Sequence, residues 1–245
     1  MKYIFLTLFL FSNLMSDHMV VLSAANLKFF FSDILKEYCK KYPDDKIRVE
    51  YDSSGILTRE ILAGRVYDVF LAANMDYPQK VFDAKKAAFK PELYTTGSII
   101  LLLSRHDGLQ EKGLQILSDA NVKEITIANK KTAPYGMAAL EALKKAGLYD
   151  KVKSKLFYST NASNIIGDVL WYGHAGILPK SAVNFLPRGY NVRNENWIDI
   201  DQKLYTPLKQ GFVLSKDGSQ NIIAKRFIDF LLSDGQKILK QNGYK

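Results

Sequence analysis

Short apolar runs alternate with amphipathic helical patterns along almost the whole chain. An apolar run between turn signals is typical of a buried strand, and apolar residues spaced three and four apart predict helices that cover a sheet. Strands that alternate with helices favour α/β layers with mainly parallel sheets. The predicted strands are 19–22, 47–51, 69–72, 98–104, 125–128, 156–158, 176–178 and 211–214.

The length of 245 residues suits one large domain or two lobes of roughly 100 residues each. No Pro/Gly/Ser-rich linker separates two halves, so two lobes would have to be joined by strands or tight crossings. The predicted first lobe consists of 19–97 and 206–245, and the predicted second lobe is 98–205. Loops of both lobes would then face one cleft, where open α/β sheets bind ligands.

The first 18 residues have the order of a secretory signal. Lys2 precedes the apolar run 4–11, and polar residues follow. The run is too short to span a bilayer. We therefore expect residues 1–18 to be a signal peptide and the protein to be periplasmic. The alternative is a buried N-terminal strand in a cytosolic protein.

The formal net charge of +9 suits an acidic partner, but the lysines are scattered over the polar sides of amphipathic segments. There is no basic stripe with interleaved aromatic residues, so we predict no nucleic-acid partner. The single cysteine, Cys39, cannot form an internal disulfide. Its place in a helical pattern favours a small packing residue.

Four segments read as a loop that opens into a helix, with small or hydrogen-bonding residues at the opening. They are 23–26, 52–55, 133–136 and 160–163. A helix start leaves backbone N–H groups without intrahelical acceptors and carries a partial positive charge. Several starts aimed at one point would form an anion site without a charged side chain. Each segment taken alone could equally be an ordinary helix entry.

The residues at these openings are hydrogen-bond donors. Asn26 has a side-chain amide, and Ser53 and Ser54 have two hydroxyls where a simple cap would need one. In the third and fourth segments, Tyr135 and Ala162 offer backbone N–H groups.

Six blocks of the chain resemble, in order, the periplasmic molybdate-binding proteins of ABC importers. They are 23–27, 52–61, 68–74, 134–136, 176–178 and 235–244. The resemblance implies a type II periplasmic binding protein, with two α/β lobes, each a mainly parallel sheet flanked by helices, and a ligand cleft between them. It also implies a ligand, molybdate or tungstate, held by neutral donors.

The family's ligand-binding positions can be carried over one by one. The first serine falls on Asn26 and the second on Ser54, while the two backbone N–H positions fall on Tyr135 and Ala162. The family's tyrosine donor falls on Pro179, which has neither a hydroxyl nor an N–H.

The contact at Pro179 is therefore lost unless Lys180, Ser181 or Tyr172 replaces it. Ser53 and Ser163 are further candidates for ligand binding.

A cage of donors suits a doubly negative tetrahedral oxyanion that carries no proton, because such an anion only accepts hydrogen bonds. A protonated phosphate or arsenate would leave its own O–H without an acceptor. We therefore expect a monomeric protein that binds molybdate, and tungstate, with high affinity for an inner-membrane ABC permease. We expect no cofactor, no metal bound as a cation and no enzymatic activity.

Three alternatives remain open at this point. The first is a binding protein for another anion, such as sulfate, tungstate exclusively or an organic anion. The second is a hydrolase of phosphate esters, suggested by Asp52 beside two serines, although the three histidines lie far apart and form no catalytic motif. The third is the effector-sensing domain of a transcriptional regulator, which would carry a helix-turn-helix before Met19.

Overall fold

A computed structural model of the protein describes residues 18–104, 109–171 and 175–245. The predicted signal peptide lies outside these residues except for His18. The strands are β1 (His18–Ala24), β2 (Lys46–Asp52), β3 (Val69–Leu71), β4 (Glu92–Gly97), β5 (Ile99–Leu103), β6 (Ile125–Ala128), β7 (Leu156–Ser159), β8 (Ala175–Pro179), β9 (Trp197–Asp199) and β10 (Leu208–Leu214). The helices are α1 (Phe31–Lys41), α2 (Ser54–Leu62), α3 (Asp76–Asp83), α4 (Leu109–Lys112), α5 (Pro134–Lys145), α6 (Tyr149–Val152), α7 (Ile165–Trp171), α8 (Ile222–Leu232) and α9 (Gly235–Gln241).

The strands form two five-stranded sheets, with the orders β2-β1-β3-β10-β4 and β7-β6-β8-β5-β9. In the first sheet β1 is parallel to β2 and β3, whereas β10 is antiparallel to β3 and β4. In the second sheet β6 is parallel to β7 and β8, whereas β5 is antiparallel to β8 and β9. The sheets are therefore mixed: in each sheet four of the five strands run in one direction and only β10 or β5 runs against them, which agrees with the expectation of mainly parallel sheets. The chain enters β5 and β10 from a strand of the other sheet. No helical crossover within one sheet precedes them, so they need not be parallel to their neighbours.

Two short connections join the sheets. Only Ser98 separates β4 in the first sheet from β5 in the second, and the return runs from β9 through a short 3-10 turn, Gln202–Leu204, to β10. The proposed boundaries at 97/98 and 205/206 lie in these connections. These boundaries remain a prediction; below, lobe I denotes the predicted segments 19–97 and 206–245, and lobe II denotes 98–205.

Helices cover both faces of the first sheet because successive side chains of a strand point to opposite sides. Val69 and Leu71 pack in one buried cluster with residues of α1 and α8. Phe70, between them, packs in another cluster with residues of α2 and α3. In lobe II, α5 and α7 pack on β6 and β8.

Cys39 is exposed on α1, so its assignment as a packing residue was wrong. On the same helix, the side chain of its neighbour Tyr38 lies in the core instead. In the part of the chain that the structure describes, no helix combines the length and the apolar character needed to cross a membrane.

Candidate functional site

All four predicted openings contribute to one cleft between the lobes. The cleft has a cavity volume of about 10 Å³. It is lined by Ala24, Ala25, Asn26, Ser53, Ser54 and Ala73 of lobe I and by Ala133, Pro134, Tyr135 and Ala162 of lobe II. Ser163 and Pro179 are not among the lining residues.

Asn26 lies at the first opening but does not cap a helix. Strand β1 ends at Ala24 and leads into a 3-10 turn, Ala25–Leu27, and α1 begins only at Phe31. The segment 23–26 was predicted to open directly into a helix, and this was wrong, because α1 begins only at Phe31. The side chain of Asn26 is buried, and its Nδ2 donates to the Tyr244 hydroxyl at 2.7 Å and to Gln210 Oε1 at 3.1 Å.

The second opening places two buried serines at the start of α2. Ser54 Oγ accepts a hydrogen bond from the Ala73 N–H at 2.9 Å. A hydroxyl that accepts in this way keeps its own hydrogen for donation. Ser53 Oγ has no partner among the described residues. The Asp52 carboxylate accepts from the Ser53 N–H at 2.6 Å, so this carboxylate binds the backbone beside the cleft.

The third opening is the start of α5. Pro134 is the first helical residue, where its fixed φ suits the helix. The N–H of the next residue, Tyr135, has no intrahelical acceptor and makes no other hydrogen bond among the described residues. A side chain at Gly136 would overlap the Ala128 carbonyl, so glycine allows this helix start to approach the end of β6.

The fourth opening is a turn, 161–164, that precedes α7. Ala162 is buried there, and its N–H has no partner in the described part of the chain. The backbone N–H and the hydroxyl of Ser163 both donate to Asn161 Oδ1, at 3.1 Å and 2.8 Å. Ser163 is therefore bound within its own turn.

Pro179 ends β8 and pairs with Ile99. Among the residues considered as its replacement, Lys180 forms an ion pair with Asp199 at 2.7 Å, and Tyr172 lies outside the described residues. Ser181 donates to the backbone carbonyl of Asn26 at 3.1 Å. Ser181 thus supports the first opening without lining the cleft.

A buried polar network lies behind Asn26. Gln210 on β10 accepts from the Tyr94 hydroxyl at 2.9 Å, and its Nε2 donates to the Tyr135 hydroxyl at 2.9 Å. The Tyr244 hydroxyl donates to Ser181 Oγ at 3.2 Å. Burial raises the pKa of Tyr94, Tyr135 and Tyr244 above the usual tyrosine value, so these hydroxyls stay protonated at neutral pH.

The cleft is lined by neutral residues. Among the residues that the structure describes, its lining contains no Asp, Glu, His, Lys or Arg. In the ranges that the structure describes, no group of three or more His, Cys, Asp or Glu side chains could hold a metal ion. The lining residues supply hydroxyl and N–H donors, which suit the binding of an anion rather than proton transfer or nucleophilic attack.

A sequence model of the family described as bacterial extracellular solute-binding proteins matches residues 19–245. The chain belongs to this family. Members of the family are binding proteins rather than enzymes.

Two relatives of this solute-binding protein are similar over most of its length. The molybdate-binding protein ModA of Rhodobacter capsulatus is 28% identical over 196 residues, which cover 79% of this chain and 75% of the relative. The putative ABC transporter substrate-binding lipoprotein YvgL of Bacillus subtilis is 27% identical over 231 residues, which cover 92% and 85%.

The solved structure of the periplasmic molybdate-binding protein of Azotobacter vinelandii superposes with a TM-score of 0.84. The match covers 93% of this chain and 98% of that chain at 20% sequence identity. At this identity the superposition establishes the fold. The predicted two-lobed α/β fold of a periplasmic binding protein is therefore confirmed.

Sequence reasoning missed the network behind the cleft. Gln210 and Tyr244 contact Asn26 from 184 and 218 residues away. Tyr244 belongs to a block that resembles the molybdate-binding family, which was the one signal that this terminal residue has a role. Nothing in the sequence around Gln210 indicated a contact with the cleft.

Proposed function

We propose that this solute-binding protein binds molybdate between its lobes and delivers it to an inner-membrane ABC permease. The observation that carries the proposal is that neutral donors from both lobes meet at one cleft whose described lining residues carry no charge. The similarity to a protein named for molybdate binding supports the choice of ligand.

The proposed ligands are Asn26, Ser54, Tyr135 and Ala162, with Ser53 as a further donor. The Ala73 N–H donates to Ser54 Oγ, so the hydroxyl hydrogen of Ser54 remains available for the anion. Tyr135 and Ala162 offer backbone N–H groups from lobe II. An anion held by both sets would stabilise the closed arrangement of the lobes.

The donor set favours a fully deprotonated tetrahedral anion. Molybdate and tungstate accept hydrogen bonds and have no hydrogen to donate. A monoprotonated phosphate would bring an O–H into a cleft that is lined by donors, and leaving that group unpaired weakens binding. Tungstate has the same charge and shape as molybdate, so we expect it to bind as well.

The remaining assignments follow from the same proposal. Residues 1–18 would direct export to the periplasm, where a monomer would collect the anion without a cofactor. The family description as extracellular and the similarity to a putative ABC transporter substrate-binding lipoprotein support this location and this partner.

A thermal-shift panel of molybdate, tungstate, sulfate, phosphate and chromate tests the proposal. A ligand that binds only the folded state raises the midpoint of thermal unfolding. We expect molybdate and tungstate to raise it and phosphate to leave it unchanged. No shift with either metal oxyanion would overturn the proposal, and a shift with sulfate alone would replace the ligand.

A further inference from the structure

We propose that Gln210 and Tyr244 are positioning residues that allow the side-chain amide of Asn26 to turn its NH₂ group toward the bound oxyanion. Neither residue lines the cleft. The inference rests on the proposed function and adds which residues orient Asn26, one of the proposed donors.

The NH₂ group of Asn26 is bound by two residues that do not line the cleft. Both hydrogens of Nδ2 have acceptors outside the cleft, the Tyr244 hydroxyl at 2.7 Å and Gln210 Oε1 at 3.1 Å. An oxyanion offers only acceptors, so Asn26 can bind it through the side chain only after a half-turn of the amide. That rotation exchanges Nδ2 with Oδ1 and leaves the amide plane in place.

The partners of Asn26 tolerate this exchange because each can both donate and accept. After the half-turn, Asn26 Oδ1 accepts from the Tyr244 hydroxyl. Gln210 makes the same half-turn, so its Nε2 donates to Asn26 Oδ1 and its Oε1 accepts from the Tyr135 hydroxyl.

The remaining contact of Gln210 is preserved in the same way. Its Nε2 donates a second hydrogen to the Tyr94 hydroxyl, whose own hydrogen turns to the Ala72 carbonyl, 3.3 Å from the tyrosine oxygen. The contacts of Asn26 and Gln210 therefore have a donor and an acceptor in both orientations, while the Tyr244 hydroxyl exchanges its bond to Ser181 Oγ for the bond to Asn26 Oδ1. In the second orientation, both hydrogens of Asn26 Nδ2 are free for the anion.

Burial makes the network sensitive to the loss of one hydroxyl. The side chains of Asn26, Gln210, Tyr94, Tyr135 and Tyr244 are each at most 5% exposed. Water cannot replace a missing partner there, so an amide oxygen left without a donor is unfavourable. The bond from Gln210 to Tyr135 also joins lobe I to the start of α5, which carries a proposed donor of lobe II.

The substitution Tyr244→Phe tests the inference, with Tyr67→Phe as the matched control. Tyr67 is also buried in lobe I, and its hydroxyl donates to the Lys86 carbonyl at 2.7 Å, outside the network. By calorimetry we expect Tyr244→Phe to raise the Kd for molybdate roughly tenfold, the effect of about one hydrogen bond. The control should lose thermal stability without a change in Kd.

A double-mutant cycle separates positioning from a general loss of structure. In the Asn26→Ala background there is no amide to orient, so Tyr244→Phe should change the Kd by less than about twofold. As a second measurement, the side-chain NH₂ signals of Asn26 and Gln210 in the NMR spectrum of wild-type protein should both shift when molybdate is added. This spectrum does not depend on the stability of any Tyr244 variant.

Two results would overturn this inference and leave the proposed function intact. One is wild-type affinity in Tyr244→Phe, and the other is an equal loss of affinity in the Asn26→Ala background. If the wild-type protein binds none of the five anions, the proposed function fails and this inference fails with it.

Discussion

The backbone N–H of Gly55 donates to the backbone carbonyl of Thr132, and the two atoms lie 2.8 Å apart. Gly55 is the second residue of α2 in lobe I, and Thr132 stands just before α5 in lobe II. A Cβ atom at Gly55 would lie 2.8 Å from this carbonyl oxygen and 2.7 Å from the Tyr77 hydroxyl. Glycine therefore lets two helix starts from different lobes approach each other, which places their donors at one cleft.

The substitution Gly55→Ala should weaken molybdate binding by roughly tenfold or more, because the new methyl group holds the lobes apart. The unfolding free energy should change little, since alanine favours the helix α2. Calorimetry measures the affinity. Small-angle scattering should show a compaction with molybdate in the wild type that is reduced in the variant.

Gly167→Ala is the matched control for this substitution. Gly167 lies in α7, and a Cβ there would meet nothing within 4 Å. The affinity of the Gly167→Ala variant for molybdate and its compaction with molybdate should equal those of the wild type. Wild-type affinity in Gly55→Ala would show that the approach of the two helix starts is not needed for binding.

Ser54→Ala should weaken molybdate binding by roughly 1–3 kcal/mol, because it removes the hydroxyl hydrogen proposed for the anion. Calorimetry is the measurement. Ser219→Ala serves as a control, since that hydroxyl donates to the Lys216 carbonyl on the exposed surface. Unchanged affinity in the Ser54 variant would remove this residue from the binding site.

Ser53→Ala should weaken molybdate binding without lowering the stability of the free protein. The buried Ser53 hydroxyl has no partner among the described residues, so its removal should leave the unfolding free energy of the free protein unchanged or raise it. The affinity for molybdate should fall, because the anion loses a donor. Urea unfolding and calorimetry on the same preparations check both signs, and a fall in stability with unchanged affinity would contradict the assignment.

The convergence of the four openings could be predicted because it follows from local patterns. Asn26, Ser54 and Ala162 each come after a predicted strand, and strand ends of an α/β sheet meet at one edge. The strand 125–128 was predicted with the bounds that β6 has in the structure.

Other features depend on contacts that leave no local pattern. Strand β4 carries the polar run Thr95–Gly97 at the edge of its sheet, and β9 has only three residues, so neither shows a strand-like apolar run. The direction of β5 and β10 depends on the crossing between the lobes. The contact between Asn26 and Tyr244 spans 218 residues and joins two side chains that are ordinary in their own segments.

The affinity for molybdate should be constant from about pH 6 to pH 9, because the cleft is lined by groups that do not titrate in this range. Burial raises the pKa of Tyr135 and Tyr244, so their hydroxyls are protonated throughout it. Only at pH values above the usual tyrosine pKa would an ionised hydroxyl place a negative charge near the anion and weaken binding. Calorimetry over this pH series is the measurement, and a tenfold change within it would indicate a titrating group at the site.

Gly97→Ala should destabilise the protein by roughly 1–3 kcal/mol through overpacking at the crossing between the lobes. A Cβ at Gly97 would overlap the Tyr135 hydroxyl and lie 2.6 Å from Gln210 Nε2. Tyr135→Phe removes the overlapping oxygen, so the double variant should be more stable than the sum of the two single effects predicts. Urea unfolding measures the free energies. The pair Gly97→Ala with Tyr67→Phe should be additive, and additivity in the Tyr135 pair would show that Gly97 does not make room for this hydroxyl.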